Sequence, residues 1–131
     1  MAAGLLALPA ARAGAEAEAA RPPPGDARIA AAWRTLRAVD CARCHGGDYE
    51  GLAAPSIVAY ARTQSREMFM RMILDGDPAR GMPGYRDNPR ILETIEDTYL
   101  YFLGRARGDI GMRPLPTAES PAGRAGADEL Q

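Results

Sequence analysis

The stretch Cys41-Ala42-Arg43-Cys44-His45 decides how the rest of this chain is read. Two thiols three positions apart, with an imidazole directly behind the second, suit a metal site, a redox dithiol or thioether attachment of a porphyrin. Counting separates them. A zinc site wants four Cys or His ligands, and the chain has two Cys and one His. A thioredoxin-type dithiol opens a helix after a strand, whereas this motif follows a helical pattern and has no βαβ unit around it. A simple disulfide leaves His45 without a role. Haem attachment uses every residue: Cys41 and Cys44 form thioethers to the two vinyl groups, and His45 binds the iron from one face.

On the N-terminal side of the motif, Asp26 can cap a helix over residues 27–39, with Ile29, Trp33, Leu36 and Val39 at helical spacing. On the other side, Gly46-Gly47 breaks regular structure. Residues 48–62 read as loop around Ala54-Pro55-Ser56, with a helical turn near residues 57–60. Thr63 or Ser65 then caps a helix through Asp75 whose apolar face carries Met68, Phe69, Met72 and Ile73, and Gly76 stops it. A Gly/Pro loop over residues 77–87 centres on Gly81-Met82-Pro83-Gly84-Tyr85. Asn88-Pro89 starts a last helix to residue 107 that buries Leu92, Ile95, Tyr99, Phe102 and Leu103. Its acids lie in the first half, and Arg105 and Arg107 at the end, as the helix dipole favours. The fold class is all-α: three to four helices and long loops around one cofactor, with no strand, the arrangement that a cytochrome c-like resemblance also implies.

The ends differ from this middle. Residues 1–13 read as a signal peptide, an apolar run too short to span a bilayer and closing on Ala11-Arg12-Ala13, although no positive charge precedes it. Residues 14–26 form a linker with three consecutive prolines. Residues 27–107 form the domain, and residues 108–131, rich in Gly, Pro and Ala, are expected to be a disordered tail. A middle of about 80 residues buries a limited core and needs a staple, which here is the haem. Sixteen basic against 17 acidic residues give no electrostatic case for nucleic acid, and every basic residue is Arg.

The sole His leaves the second axial position to another side chain. Thioether sulfur binds both oxidation states of the iron, and Met68, Met70, Met72, Met82 and Met112 compete. Met68 and Met72 lie one helical turn apart and read as core. Met70 points elsewhere on that helix, and Met112 is in the tail. Met82 stands between Gly and Pro on a loop, where a side chain can reach across a flat cofactor, so it is the expected sixth ligand. The Pro55 carbonyl could accept the other ring N–H of His45, or Pro55 is an ordinary turn proline. Trp33, Tyr60, Tyr85 and Tyr99 could pack on the haem, and Arg80 and Arg86 could meet its propionates or a partner. With both axial positions filled, substrate cannot reach the iron, and an electron carrier fits better than an enzyme. Two alternatives make different claims. A haem sensor or peroxidase-like enzyme has a labile sixth ligand, and a subunit fixed in a dehydrogenase complex co-purifies at constant stoichiometry.

These residues together resemble the class I c-type cytochromes over residues 27–107. By that resemblance Cys41 and Cys44 hold one haem c covalently, His45 and Met82 are axial, and the first and last helices cross near the attachment site. Residues 81–114, GMPGYRDNPRILETIEDTYLYFLGRARGDIGMRP, are similar to the methanol-metabolism-related cytochromes and the cytochrome acceptors of PQQ-dependent alcohol dehydrogenases. They share a Met-Pro loop running into Asp-Asn-Pro, a Tyr-rich last helix, Arg-Ala-Arg and a basic-Pro tail. Gly84-Tyr85 after the Met-Pro, and the lysine-free tail, depart from that pattern. The resemblance implies a periplasmic monomer without a transmembrane span, taking electrons from a quinoprotein dehydrogenase and passing them toward an oxidase or another cytochrome.

Overall fold

The computed structural model describes residues 26–114. The expected signal peptide, nearly all of the linker and residues 115–131 of the expected tail lie outside the described residues. Five α-helices follow in order: α1 (Ala27–Ala38), α2 (Ala42–His45), α3 (Ile57–Thr63), α4 (Arg66–Asp75) and α5 (Pro89–Arg107), with a 3-10 turn at Pro78–Arg80. Among the described residues there is no strand, only one antiparallel bridge between Asp77 and Met82.

The all-α expectation holds, with more helix than the sequence pattern indicated. The turn expected near residue 57 is a full helix, because the Ser56 side chain accepts from the Ala59 N–H and caps it. Burial of Val58 and Ala61 then outweighs the poor helix propensity of β-branched Ile57 and Val58. Asp26, Ser65 and Asn88 cap α1, α4 and α5 through their side chains, as their positions before the apolar runs predict.

Helix α5 is the central element. It packs against α1, α3 and α4, and the core between them is Ile29 and Leu36 of α1, Val58 and Ala61 of α3, Phe69 of α4, Tyr101 and Phe102 of α5, and the loop residue Tyr49. The rotation of α5 differs from the expected one. Its buried row is Ile91, Ile95, Thr98, Tyr101, Phe102 and Gly104, whereas Leu92 is 49% exposed and Tyr99 and Leu103 are only half-buried. The helix carries apolar side chains around most of its C-terminal half, so spacing alone did not select a face. The fully buried row includes small Thr98, as Ala30 and Ala32 are buried on α1, and small residues let helix backbones approach closely. On α4 only Phe69 is buried; Met72 and Ile73 are half-buried and Met68 is 42% exposed, so Met68 is not core.

The domain also extends beyond residue 107, where the tail was expected to begin. Gly108 ends α5 in the left-handed conformation, and the backbone folds back so that the Asp109 and Ile110 N–H groups donate to the Gly104 carbonyl. Ile110 lies directly over Gly104, in space that any Cβ there would occupy. The Tyr101 hydroxyl donates to the Met112 carbonyl at 3.0 Å, and Pro114 is buried. Apolar Ile110 and Pro114 supply the burial that a Gly/Pro-rich reading of this segment missed.

Candidate functional site

The chemistry-bearing motif is one helical turn. Asp40 adopts a left-handed conformation, φ 60°, which stops α1 and redirects the chain. The Cys41 N–H still donates to the Leu36 carbonyl, and the Cys41 carbonyl accepts from Cys44 and His45. Helical geometry brings residues three and four apart onto one side, so both thiols and the imidazole belong to one short turn. Both cysteines are free, Cys41 half-buried and Cys44 exposed. Burial pushes the Cys41 thiol up to about 11, which keeps it protonated at neutral pH.

The ring of His45 is fixed from behind. Its Nδ1 lies 2.7 Å from the Pro55 carbonyl oxygen. A carbonyl can only accept, so Nδ1 carries the proton and Nε2 is left as the lone-pair nitrogen, the one able to bind a metal. The loop that brings Pro55 there is tied to the motif by its backbone: Gly51 N–H donates to the His45 carbonyl at 2.9 Å and Ala54 N–H to the Cys44 carbonyl at 2.8 Å.

Three residues to which the sequence reading gave no part in holding this loop do hold it. Tyr49 takes a left-handed φ of 64° and is fully buried, its ring edge-on to Phe102 at 5.3 Å and Tyr101 at 6.3 Å. Arg105 reaches across from α5, its side chain only 7% exposed. Its guanidinium donates to the Asp48 carbonyl at 2.9 Å and the Tyr101 hydroxyl at 3.0 Å, with the Glu50 carboxylate at 3.4 Å. Ser56, next to Pro55, donates to the same carboxylate. Arg105 was expected to serve the helix dipole; no local sequence signal pairs it with a loop 57 residues away.

Met82 sits at the base of a second tight loop. Asp77 and Met82 exchange backbone hydrogen bonds of 2.9 and 3.0 Å around the Pro78–Arg80 turn. Gly84 presses on the end of α4, where a Cβ would stand 2.8 Å from the Leu74 and Asp75 carbonyl oxygens. Tyr85 and Arg86 N–H groups donate to the Leu74 carbonyl. Burial first, then the proximity of Cys41, Cys44 and Asp40, raises the Tyr85 phenol above its ordinary value. The thiols are therefore near enough to act on the Tyr85 phenol, three residues after Met82. Of the competing methionines, Met70 packs on the core and Met112 is exposed beyond α5.

These residues fit a haem. Two unbridged thiols match two vinyl groups, and a neutral imidazole nitrogen and a thioether are iron ligands. Ile57, Tyr60, Met70, Ile73, Tyr99 and Leu100 pack on the core yet are only partly buried, which suits a flat apolar macrocycle. Among the described residues no group of three or more His, Cys, Asp or Glu is arranged for a metal ion. A cleft of about 590 Å³ lined by Trp33, Arg37, Asp48 and Met112 includes neither thiol, His45 nor Met82. Over 82 residues the chain is 34% identical to cytochrome c-555 of Methylococcus capsulatus, covering 62% of this chain and 63% of that protein. Its structure matches that of the c-type cytochrome XoxG from Methylobacterium extorquens AM1, with a TM-score of 0.63 and 25% identity over 81% of this chain and 69% of that one. In sequence and in fold the chain is similar to c-type cytochromes. The match spans less than two thirds of the length of the Methylococcus cytochrome. No family model matches the sequence. That similarity implies covalently bound haem c, and Cys41 and Cys44 have the spacing of its attachment motif. No helix among the described residues is long and apolar enough to cross a membrane.

Proposed function

We propose that this chain is a c-type cytochrome and a periplasmic carrier of single electrons, with one haem held through Cys41 and Cys44 and ligated by His45 and Met82. The reading rests above all on the 2.7 Å contact of His45 Nδ1 with the Pro55 carbonyl, which leaves Nε2 as a ligand and raises its basicity. When bound, the haem supplies a one-electron couple. The protein's part is to hold two ligands in place in both oxidation states. The Pro55 loop keeps the imidazole from turning, and the backbone exchange between Asp77 and Met82 keeps the thioether loop from opening. A site closed on both faces excludes substrate and favours transfer of electrons alone.

The donor is a PQQ-dependent alcohol dehydrogenase of the methanol-oxidising kind, and the acceptor a terminal oxidase or another cytochrome. This finer reading is supported by the likeness of residues 81–114 to the cytochromes that serve such dehydrogenases. Export is supported by residues 1–13 and by haem attachment itself, which takes place outside the cytoplasm in bacteria.

Absorption spectra of the haem-loaded protein, for wild type and Met82→Ala, test the proposal. A low-spin spectrum with the weak iron–sulfur band, lost in the variant, is expected. A high-spin wild type that binds carbon monoxide freely would overturn the carrier reading in favour of a haem sensor or peroxidase-like enzyme. Stopped-flow reduction by a purified methanol dehydrogenase tests the donor separately.

A further inference from the structure

The Pro55 carbonyl that meets His45 belongs to the peptide unit joining Pro55 to Ser56, and a peptide unit is a rigid plane. A turn of that plane displaces Ser56, whose hydroxyl is held twice. It accepts from the Ala59 N–H at 3.0 Å and donates to the Glu50 carboxylate at 3.3 Å. The other oxygen of that carboxylate meets the Arg105 guanidinium at 3.4 Å. Arg105 is itself fixed, because its side chain is nearly buried and donates to the Asp48 carbonyl and the Tyr101 hydroxyl as well. A continuous line of side-chain contacts thus runs from α5 to the atom that orients the imidazole.

A second contact on the same peptide comes from Gly51. Its φ of 110° favours glycine, and a Cβ there would stand 3.3 Å from the Ser56 nitrogen and 3.6 Å from the Pro55 carbonyl carbon. The Gly51 backbone therefore lies directly against the plane, and its own N–H donates to the His45 carbonyl. The Glu50 side chain, by contrast, is half-exposed, and an ion pair of that kind contributes little to stability. What the carboxylate adds is a fixed direction for Ser56.

Resting on the reading of His45 Nε2 as an iron ligand, we infer that Glu50 and Ser56 are positioning residues for electron transfer. Through the Pro55–Ser56 peptide they hold the carbonyl in line with His45 Nδ1, and so set how strongly the imidazole donates to the iron. A well-aligned acceptor makes the ring the better donor, favours the ferric state and lowers the potential. Loss of alignment raises it. Arg105 ties that setting to α5.

The chain has one His, so the imidazole signals of isotope-labelled holoprotein belong to His45 alone. The test combines nuclear magnetic resonance and potentiometry on haem-loaded wild type, Ser56→Ala, Glu50→Ala, the double variant and Ser56→Thr. In each single alanine variant the Nδ1 proton of the ferrous protein should exchange with solvent about tenfold faster than in wild type. At a fixed applied potential the ferrous-to-ferric ratio of Ser56→Ala should rise about twofold. That substitution changes no charge, so the shift cannot come from a lost carboxylate. Adding Glu50→Ala to Ser56→Ala should leave the exchange rate where it is, because the carboxylate reaches the peptide only through that hydroxyl. Ser56→Thr, which keeps the hydroxyl, should match wild type. Exchange in Ser56→Ala as slow as in wild type, or effects that add in the double variant, would overturn the inference alone. The ligand reading fails by a different sign: the ring current of a haem moves the carbon-bound ring protons of an axial imidazole far upfield, and ordinary shifts in wild type would sink that reading and the inference with it.

Discussion

Nδ1 of His45 lies 2.7 Å from the carbonyl oxygen of Pro55, and this bond adds a side-chain tie to the backbone hydrogen bonds between the two segments. The proline fixes φ where the carbonyl has to face the ring. Pro55→Gly keeps the oxygen but loosens its position, so the imidazole becomes a weaker electron donor and the ferric state loses more than the ferrous. The midpoint potential should rise by about 30 mV, roughly 0.7 kcal/mol for a one-electron couple. Potentiometric titration of the two proteins would settle it, and equal potentials would mean the carbonyl's place does not depend on the proline.

Arg105 bonds to Asp48, Glu50 and Tyr101 from a nearly buried position. Arg105→Met leaves a loop carbonyl and a buried hydroxyl without their donor, and should lower holoprotein stability by about 3 kcal/mol. Arg105→Lys should recover less than half, because a point charge cannot reproduce three directed bonds. Chemical denaturation followed at the haem band reads both, and a Met variant as stable as wild type would refute the clamp.

Gly84 has no room for a side chain against the Leu74 and Asp75 carbonyls. Gly84→Ala should push the Met82 loop off the end of α4 without unfolding the five helices. The expected signature is a weakened or absent iron–sulfur band with unchanged far-ultraviolet circular dichroism. A variant with the band intact would show that Met82 reaches the iron independently of this contact.

Burial pushes the Tyr49 phenol up to about 12 from an ordinary 10, and the nearby Arg37 guanidinium opposes this without reaching a normal hydrogen-bond geometry. Burial also raises Tyr101. An unfolded chain sheds these protons from about pH 10 upward while the folded one keeps them, so stability is flat below pH 10 and falls between 10 and 12. Tyr49→Phe should reduce that alkaline limb, leaving the share of Tyr101, and cost less than about 1 kcal/mol at neutral pH. Tyr49→Ala, which empties a core position, should cost about 3–5 kcal/mol. Urea melts at pH 7, 10 and 11.5 would compare the three proteins.

The parts of this protein that could be read from its sequence are those whose signals are local. The spacing of Cys41, Cys44 and His45, the caps at Asp26 and Asn88, and the placing of Met82 between Gly and Pro are each contained within a few residues. Pro55 was legible as one of two open readings, and the contact with His45 selects between them. What escaped depends on distant partners. Tyr49 is core only because its left-handed backbone turns it onto α5, and nothing in Gly-Asp-Tyr-Glu-Gly announces that. The face of α5 was misjudged at Leu92 because apolar residues surround much of that helix, and only packing against α1 and α3 selects Ile91 and Thr98.

The seat that Ile110 finds over Gly104 has a consequence for anyone who cuts or joins this polypeptide. Ending it at Arg107, where the helical pattern stops, would uncover Gly104 and strip the Tyr101 hydroxyl of its acceptor on Met112. A unit moved intact into another protein therefore has to reach past Met112. A tag or a fused domain grafted earlier would trade a sealed helix end for a sticky one.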